Sequence, residues 1–340
     1  MVRVGGVSAG MVRVGVIGAG HFGRFHALKL ATAKRAALAG ITDTDPARAA
    51  QVAREARASA LSLTDLLAAS DAVVIAAPAE AHFGLAAQAL TAGKHVLVEK
   101  PIAASLDEAD RLAALAAAGA RVLQVGHLVR YSAEYAAVAA RMRNPLYIEA
   151  TRIAPFKPRG TDVSVILDLM IHDLDLVLAL VQSPIASIDA VGAPIASAHE
   201  DIANARVRFE NGSVATITAS RISLKTERKM RLFAQEGYMS VNFIDRKLML
   251  IGRERGLPIP GAQGYRIEET SWREHDALEA EHAAFLAAIL DGAAVVVDAA
   301  AGRRALAAAL AVSESMAASR AIAQASGLIQ NLEHGAGGGL

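Results

Sequence analysis

The hydrophobic residues of the first 126 positions fall into short β-branched runs that alternate with longer stretches of helical spacing. The pattern predicts strands at 12–17, 37–42, 71–77, 95–98 and 122–125. It also predicts a helix that follows residue 20 and further helices at 46–58, 81–92 and 106–118. Strands that alternate with helices indicate a parallel sheet covered on both faces, so this half is predicted to be a doubly wound α/β domain.

The alternation stops after Gly126, and the second half has a different pattern. It predicts helices at 132–143, 163–180, 276–290 and 299–323, and strands at 147–153, 187–191, 203–210, 213–221, 230–236 and 239–245. Asn211-Gly212 separates two of these strands, and this dipeptide is typical of a hairpin, which favours antiparallel pairing. We therefore expect an α+β domain with a large open, mostly antiparallel sheet. Few helices remain to cover that sheet, so we expect it to pack against another subunit in a homodimer or homotetramer.

These patterns divide the chain into four segments. Residues 1–10 nearly repeat residues 11–20 and are interpreted as a leader or an alternative start. Residues 11–127 form the predicted first domain, and residues 128–330 form a domain for substrate binding and oligomerisation. Residues 331–340 are predicted to be a flexible tail.

Composition excludes several classes of protein. Hydrophobic residues make up 53% of the 340 positions and aromatic residues only 4%, whereas 35 Lys and Arg residues almost balance 34 Asp and Glu residues. High hydrophobicity with a net charge of +1 argues against a disordered chain and against bulk attraction to nucleic acid. Without cysteine, no disulfide or thiolate site is possible. The most apolar stretches, 72–79 and 112–120, are too short to span a bilayer, so we expect a cytoplasmic protein with no membrane or nucleic-acid partner.

A glycine-rich turn, GAGHFG, directly follows the first predicted strand and opens the first predicted helix. In such a turn Gly18 permits the sharp reversal, Gly20 lets the backbone approach a pyrophosphate, and Gly23 lets helix and strand pack closely. The helix N-terminus offers free N–H groups to the phosphates. This context favours a dinucleotide-binding site over a structural turn, and it places His21 and Phe22 beside the cofactor.

Asp43 ends the second predicted strand, where a carboxylate can accept hydrogen bonds from the ribose hydroxyls. Its negative charge would repel the 2′-phosphate of NADP, so NAD is the expected cofactor and NADP the less favoured alternative. The other interpretation is that Asp43 only precedes a helix as a turn residue.

Two further segments follow predicted strands at the edge where open α/β sheets bind ligands. The first, APAEAH, contains Ala77, Pro78 and His82, and the second is Glu99-Lys100-Pro101. A lysine in such a place is usually a solvated charge. Pro101 restricts Lys100 to extended conformations and also allows a cis peptide bond, which makes a catalytic role for Lys100 worth testing.

Asp168 and His172 lie four residues apart in a predicted helix, so both project from one face. From this spacing alone a structural ion pair or a core histidine is favoured over catalysis. A carboxylate that orients an imidazole is nevertheless also the usual arrangement of a general base.

Together these motifs resemble the Gfo/Idh/MocA family of oxidoreductases: the GAGHFG turn, Asp43, the APAEAH segment, Glu99-Lys100-Pro101 and the Asp168–His172 pair occur in the family's order over about 11–330. The resemblance implies an N-terminal Rossmann domain joined to an open-sheet domain, with catalysis in the cleft between them. It implies that Lys100 and His172 perform acid–base chemistry with help from Asp168, and that no metal is needed. Ala79 replaces an asparagine common in the family and Met170 a common glycine, which leaves the subfamily open.

The resemblance also defines two predicted sets of binding residues. The predicted cofactor-binding residues are Gly18, Gly20, His21, Phe22, Gly23, Asp43, Ala77, Pro78, His82, Glu99 and Lys100. The predicted substrate-binding residues are Lys100, Arg130, Tyr131, Arg152, Lys157, Arg159, Asp168 and His172.

Within the family, residues 149–181 and 201–223 look most like nucleotide-sugar dehydrogenases. The expected reaction is oxidation of the C3 hydroxyl of a substrate like UDP-N-acetylglucosamine, in the service of lipid A synthesis. Cations that could bind a diphosphate are Arg152, Lys157, Arg159, Arg221, Lys225, Arg228 and Lys229, although ordinary solvated residues would give the same pattern. The alternatives are a dehydrogenase of a free sugar, inositol or sugar acid, and a non-catalytic NAD-binding redox sensor. A sugar-exchange enzyme with permanently held NADP conflicts with Asp43.

Overall fold

The computed structural model describes residues 10–157, 163–235, 237–253 and 256–328. The leader, apart from Gly10, and the tail at 331–340 lie outside this part of the chain. Contacts group the described residues into two compact units. The first comprises Met1–Arg141 and Trp272–Ala307, and the second comprises Met142–Ser271 and Ala308–Leu340.

The first unit is built on a five-stranded parallel sheet of order β2-β1-β3-β4-β5. Its strands are β1 (Val12–Ile17), β2 (Ala36–Thr42), β3 (Ala72–Ile75), β4 (His95–Glu99) and β5 (Leu123–Gly126). Its helices up to this point are α1 (His21–Leu30), α2 (Pro46–Ala56), α3 (Leu63–Ala69), α4 (Ala79–Thr91) and α5 (Leu106–Ala118), of which the short α3 was not predicted. Apolar residues on β1, β3 and β4 are fully buried, as a sheet covered on both faces requires. The predicted doubly wound α/β fold is confirmed.

After β5 the first unit continues through a 3₁₀ turn (Leu128–Tyr131) and α6 (Ala133–Arg141). It is completed by two segments from the far end of the chain, α8 (Ala277–Asp291) and the beginning of α9 (Ala299–Ala325). Phe285 and Leu286 of α8 belong to the same core as β1 and α1. The first unit is therefore not made only of residues before about 127. It also includes α8, because Phe285 and Leu286 are buried in its core.

The second unit is built on a nine-stranded sheet of order β13-β14-β12-β11-β10-β6-β9-β8-β7. The strands are β6 (Tyr147–Ile153), β7 (Ile185–Ala193), β8 (Ile202–Phe209), β9 (Val214–Ser220), β10 (Glu227–Ala234), β11 (Gly237–Asn242), β12 (Lys247–Gly252), β13 (Leu257–Ile259) and β14 (Ala262–Ser271). Among the described strands of this second sheet, only the β6–β9 pair is parallel. The predicted large, mostly antiparallel sheet is confirmed, including the β8–β9 hairpin at Asn211-Gly212. The last three strands were not predicted, because β13 and β14 are short or largely exposed and lack a clear apolar alternation.

The predicted helix at 163–180 differs from the observed one at its start. A π-helical turn at Ile166–Met170 comes first, and regular α-helix follows in α7 (Ile171–Val181). Such turns are rare overall, but those that occur are frequently at functional sites. They have no hydrophobic period of their own, so the sequence does not predict them.

Among the described residues, α9 is the one helix long and apolar enough to cross a membrane by length and composition. Its side chains Ala305, Ala309 and Val312 are fully buried within the chain. A single helix that meets this test is weak evidence for a membrane, since core helices meet it too.

Candidate active site

The glycine turn has the geometry that a dinucleotide requires. Gly18 has a φ of +99°, and a Cβ there would lie 2.5 Å from the carbonyl oxygen of Ala76. A Cβ on Gly23 would collide with the carbonyl oxygen of Gly18. Nothing lies within 4 Å of a Cβ built on Gly20, so the backbone is open to a ligand there. Gly20 also precedes α1 without any side-chain cap, which leaves first-turn N–H groups for an anion.

Asp43 lies beside this turn. Its Oδ2 accepts a hydrogen bond from the backbone N–H of Ala19 at 2.6 Å, and its Oδ1 accepts one from Asp45 at 2.8 Å. Arg48 is 3.8 Å from the same carboxylate. These hydrogen bonds connect the end of β2 to the glycine turn, while contact of Asp43 with a ribose stays a prediction.

Exposed aromatic rings surround the first turn of α1. Phe22 and Phe25 are both exposed, and the ring of His21 contacts each of them edge-on. Large rings left in solvent at a ligand-binding turn are available to cover a cofactor.

Lys100 follows β4, and the Lys100–Pro101 peptide is cis. His82 on α4 is buried and contacts this loop. Its Nδ1 lies 2.7 Å from the carbonyl oxygen of Pro101, and its Nε2 lies 2.9 Å from the carbonyl oxygen of Ala77. His82 thus joins the loops after β3 and β4, while its direct contact with a cofactor stays a prediction.

A buried chain of side chains lies behind Lys100. His26 Nε2 is 2.9 Å from Glu99 Oε1, and His26 Nδ1 is 2.8 Å from His282 Nε2. The remaining Glu99 oxygen, Oε2, accepts from the Lys100 backbone N–H at 3.3 Å. Burial alone would raise the pKa of Glu99, but the bond and charge of His26 and the charge of Lys100 hold it below its ordinary value. Burial, aided by His26, lowers the pKa of His282 to about 3.

Sequence reasoning missed His26, His282 and their neighbour Glu281. One signal was available, since Glu281 and His282 interrupt a helix that is otherwise rich in alanine and leucine. The spacing could not reveal their partners, which are more than 150 residues away in the chain.

In the second unit Asp168 lies inside the π-helical turn and His172 is the second residue of α7. Both are half-buried. Next to His172, Asp173 accepts two hydrogen bonds from the guanidinium of Arg152 at 2.8 and 2.9 Å, and both partners are buried. The charge of Arg152 is therefore already balanced within the unit.

Arg228 lies opposite Arg152 in the pairing of β10 with β6. Part of its side chain reaches solvent, yet burial of the guanidinium and repulsion by Arg152 lower the pKa of Arg228 against the pull of Asp173. Two arginines and one aspartate leave this cluster with one excess positive charge next to His172.

The other predicted cations are placed differently. Arg221 is buried and donates to Asp201, to Ser197 Oγ and to the carbonyl of Val163, and this arrangement lowers the pKa of Asp201 despite its burial. Lys225 and Lys229 both lie near Glu227, at 2.8 and 3.6 Å. Lys157 is exposed, and Arg159 lies outside the described residues.

The two remaining predicted substrate residues follow β5. The Arg130 guanidinium lies 5.4 Å from the ring centre of Tyr135, and its Nη2 is 3.4 Å from the carbonyl of Val296. Tyr131 is buried, and its carbonyl is 2.7 Å from His275 Nε2. The first unit thus brings the glycine turn, Asp43, the APAEAH segment and Lys100 to one edge of its sheet, while Asp168 and His172 belong to the second unit.

Family comparisons match both halves of the chain. A model described as "Oxidoreductase family, NAD-binding Rossmann fold" matches residues 12–127, and the "GFO/IDH/MocA C-terminal domain" matches residues 134–240. Fold and comparisons together define an NAD-binding oxidoreductase, a dehydrogenase of the class that acts on CH–OH groups. The chain belongs to the Gfo/Idh/MocA family, as its motifs predicted.

Among individual proteins, the chain is 44% identical over 303 residues to the UDP-N-acetylglucosamine 3-dehydrogenase of Acidithiobacillus ferrooxidans, covering 88% of this chain and 96% of that one. A solved structure of that enzyme aligns with a TM-score of 0.85 at 43% identity, over 91% of this chain and 98% of the other. An inositol 2-dehydrogenase of Acidothermus cellulolyticus is 35% identical over 198 residues, covering 53% of this chain and 56% of that one.

Proposed function

We propose that this protein uses NAD to oxidise the C3 hydroxyl of a UDP-linked amino sugar resembling UDP-N-acetylglucosamine. The observation that carries the proposal is the 44% identity to a UDP-N-acetylglucosamine 3-dehydrogenase over nearly the full length of both chains. The excess positive charge of the Arg152–Asp173–Arg228 cluster supports it, because a UDP-sugar carries a diphosphate and a free sugar or inositol does not.

The residues present fit NAD. The open backbone at Gly20, the uncapped start of α1 and the Asp43 carboxylate suit a pyrophosphate and a ribose without a 2′-phosphate. Bound NAD supplies the acceptor for the hydride that leaves C3. The exposed ring of Phe22 would cover the cofactor on the solvent side.

Side chains of the protein itself transfer the proton of the substrate hydroxyl. His172 takes the proton of the C3 hydroxyl as the hydride departs, and Asp168 holds its ring in the required tautomer. The Lys100 ammonium stabilises the negative charge that develops on the oxygen. Lys100 belongs to the first unit and His172 to the second.

For the substrate, Arg228 is the cation best placed to bind a diphosphate. Within the described part of the chain it makes no ion pair of its own, whereas Arg152 and Arg221 are engaged by Asp173 and Asp201. The proposed substrate set is completed by Lys157, by Arg130 with Tyr131, and by Arg159, which lies outside the described residues.

We also propose a cytoplasmic homodimer or homotetramer that assembles through the second unit's sheet. Tyr147, Phe233 and Tyr238 form a row of touching rings on adjacent strands, and Phe233 is exposed. The ketone product suits a following amino transfer at C3, as lipid A precursors with 3-amino sugars require.

The experiment is a substrate panel with NAD and NADP: UDP-N-acetylglucosamine, UDP-glucose, free N-acetylglucosamine and myo-inositol, followed by NADH absorbance and identification of the keto carbon. We expect turnover of UDP-N-acetylglucosamine with NAD and a product oxidised at C3. Turnover of the polyol alone would assign the activity of the inositol dehydrogenases instead. Tight NAD binding with no reduction by any compound would favour a sensor.

A further inference from the structure

A buried carboxyl that the proposed reaction does not use lies behind the Lys100 loop. Glu281 on α8 is fully buried, and neither of its carboxyl oxygens has a hydrogen-bond partner within the described part of the chain. One carboxyl oxygen of Glu281, one of Glu99 and one ring nitrogen of His26 all lie within 4.8 Å of one another. A buried acid without a partner is costly unless it is neutral or binds something, so it requires an explanation.

Within the described residues nothing donates a hydrogen bond to the Glu281 carboxyl. His26 binds Glu99 through Nε2 and His282 Nε2 through Nδ1, while His282 Nδ1 has no partner in this part of the chain. Gln124 on β5 donates its amide to the backbone carbonyl of Glu281, and its own carbonyl oxygen also has no partner there. An ionised Glu281 would therefore lack a donor and would face the negative charge of Glu99.

The charged groups around the cluster lead to the same conclusion. On α1 they are His26 and, towards the surface, Lys29; on and after β4 they are Glu99 and Lys100; and on α8 they are His282, Asp276 and Glu279. His127 follows β5 and is buried. Lys29 forms ion pairs with Asp276 and Glu279. The charge that acts on the Glu99 carboxylate from the other side is that of Lys100.

We propose that Glu281 is a positioning residue that stays protonated, so that Glu99 remains the one carboxylate behind Lys100 and the chain His282–His26–Glu99 holds the Lys100 backbone in place. A protonated carboxyl is uncharged, so it adds no second negative charge beside Glu99. Burial and the charge of Glu99 raise the pKa of Glu281 well above its ordinary value, in agreement with this geometry. The effect on Lys100 rests on the proposed function, whereas the protonation state does not.

The first test is the pH dependence of stability of the full-length protein with and without the titrating group. Unfolded Glu281 ionises near pH 4.3, while the folded group ionises much higher, so the wild type loses stability as the pH rises between those two values. Glu281→Gln has no such group and keeps a donor. We therefore expect its melting temperature to rise relative to that of the wild type from about pH 5 to about pH 8.

The matched control is Glu279→Gln on the same helix, where the carboxylate is exposed and pairs with Lys29. Its difference from the wild type should stay constant over this pH range. Parallel melting profiles of wild type and Glu281→Gln would overturn the proposal. Metal bound in a one-to-one ratio to purified wild type and lost in Glu281→Gln would also overturn it, since Glu281 would then be an ionised ligand.

The second test asks whether the neutral state of Glu281 matters to Lys100. As the pH rises and wild-type Glu281 ionises, a second negative charge appears beside Glu99, so we expect the ratio of kcat for Glu281→Gln to kcat for the wild type to rise with pH, with little change in the KM for NAD. Parallel kcat–pH profiles of the two proteins would overturn the positioning role. If no substrate is found, the melting profiles still decide whether Glu281 is protonated.

Discussion

The first unit buries carboxyls and imidazoles next to its proposed catalytic lysine, whereas the second unit buries an arginine–aspartate ion pair next to its proposed catalytic histidine. In the first, Glu99 and Glu281 lie close to His26, and Glu99 faces the charge of Lys100. In the second, Arg152 pairs with Asp173, and the exposed Arg228 lies opposite Arg152. The first cluster is connected by hydrogen bonds to imidazole rings, and the second by a direct ion pair.

Under the proposed function, this difference suits what each unit would hold. One carboxylate already balances the charge of one lysine, and a second would make the surroundings of the reacting oxygen negative, which opposes stabilisation of a developing negative charge. A site for a diphosphate needs a cation that is not fully balanced, which an arginine pair around one aspartate supplies. The predictions below test this contrast, beginning with the largest expected effect.

Removing the proposed catalytic groups should cause the largest loss. Lys100→Ala and His172→Ala should each lower turnover about a thousandfold or more, because each removes an interaction made with the reacting oxygen. NAD affinity, measured by calorimetry, should remain close to the wild-type value. Near-normal turnover in either variant would remove that residue from the mechanism.

Breaking the buried ion pair of the second unit should cost stability. Asp173→Asn leaves the buried charge of Arg152 without its partner and opposite Arg228, and we expect a loss of about 3–5 kcal/mol in unfolding free energy. Denaturant unfolding measures this loss. Adding Arg152→Met to Asp173→Asn should recover much of it, because the unpaired charge is then gone. No recovery in the double variant would mean that the aspartate acts through packing rather than charge.

Neutralising the unbalanced cation should affect the substrate alone. Arg228→Gln should raise the KM for a UDP-sugar by about tenfold or more, since a hydrogen bond to a charged group is worth about 1.5–3 kcal/mol. The KM for NAD should not change. Lys225→Gln is the matched control, because Lys225 is exposed and already paired with Glu227. Equal effects from both variants would show only a general dependence on surface charge.

The smallest effect is expected at an exposed ion pair of the first unit. Arg303 and Asp110 form two hydrogen bonds, but both side chains are about half exposed. Solvent screens such pairs, so Arg303→Gln should leave the melting temperature unchanged within error. A clear decrease would show that ion pairs in this protein depend less on burial than the Asp173 prediction assumes.

Much of the fold was predictable because local signals and long-range packing agree. The apolar runs of the first half define five parallel strands, and Asn211-Gly212 defines a hairpin. Local signals are weak at β13 and β14, which have little apolar alternation and are held by pairing with neighbours. The π-helical turn that carries Asp168 also has no sequence period of its own.

The residues of the candidate site can likewise be separated into those that the sequence predicts and those that it does not. Gly18, Gly23 and Asp43 could be placed from sequence, because each role depends on backbone geometry within one βαβ unit. Arg152 could not be separated from Arg228 by sequence, since both are arginines on strands, and only burial distinguishes the paired residue from the unbalanced one.

The sequence by itself determined the class of fold, the NAD-binding turn and the family, because these depend on residue periods and on motifs within short stretches of chain. Only the tertiary structure decided that α8 returns to the first unit and brings Glu281 and His282 behind Lys100. It alone also decided which arginines are already balanced by aspartates. Both outcomes depend on contacts between residues far apart in the chain, where burial sets the strength of charge and hydrogen bonding and no local pattern records the partner.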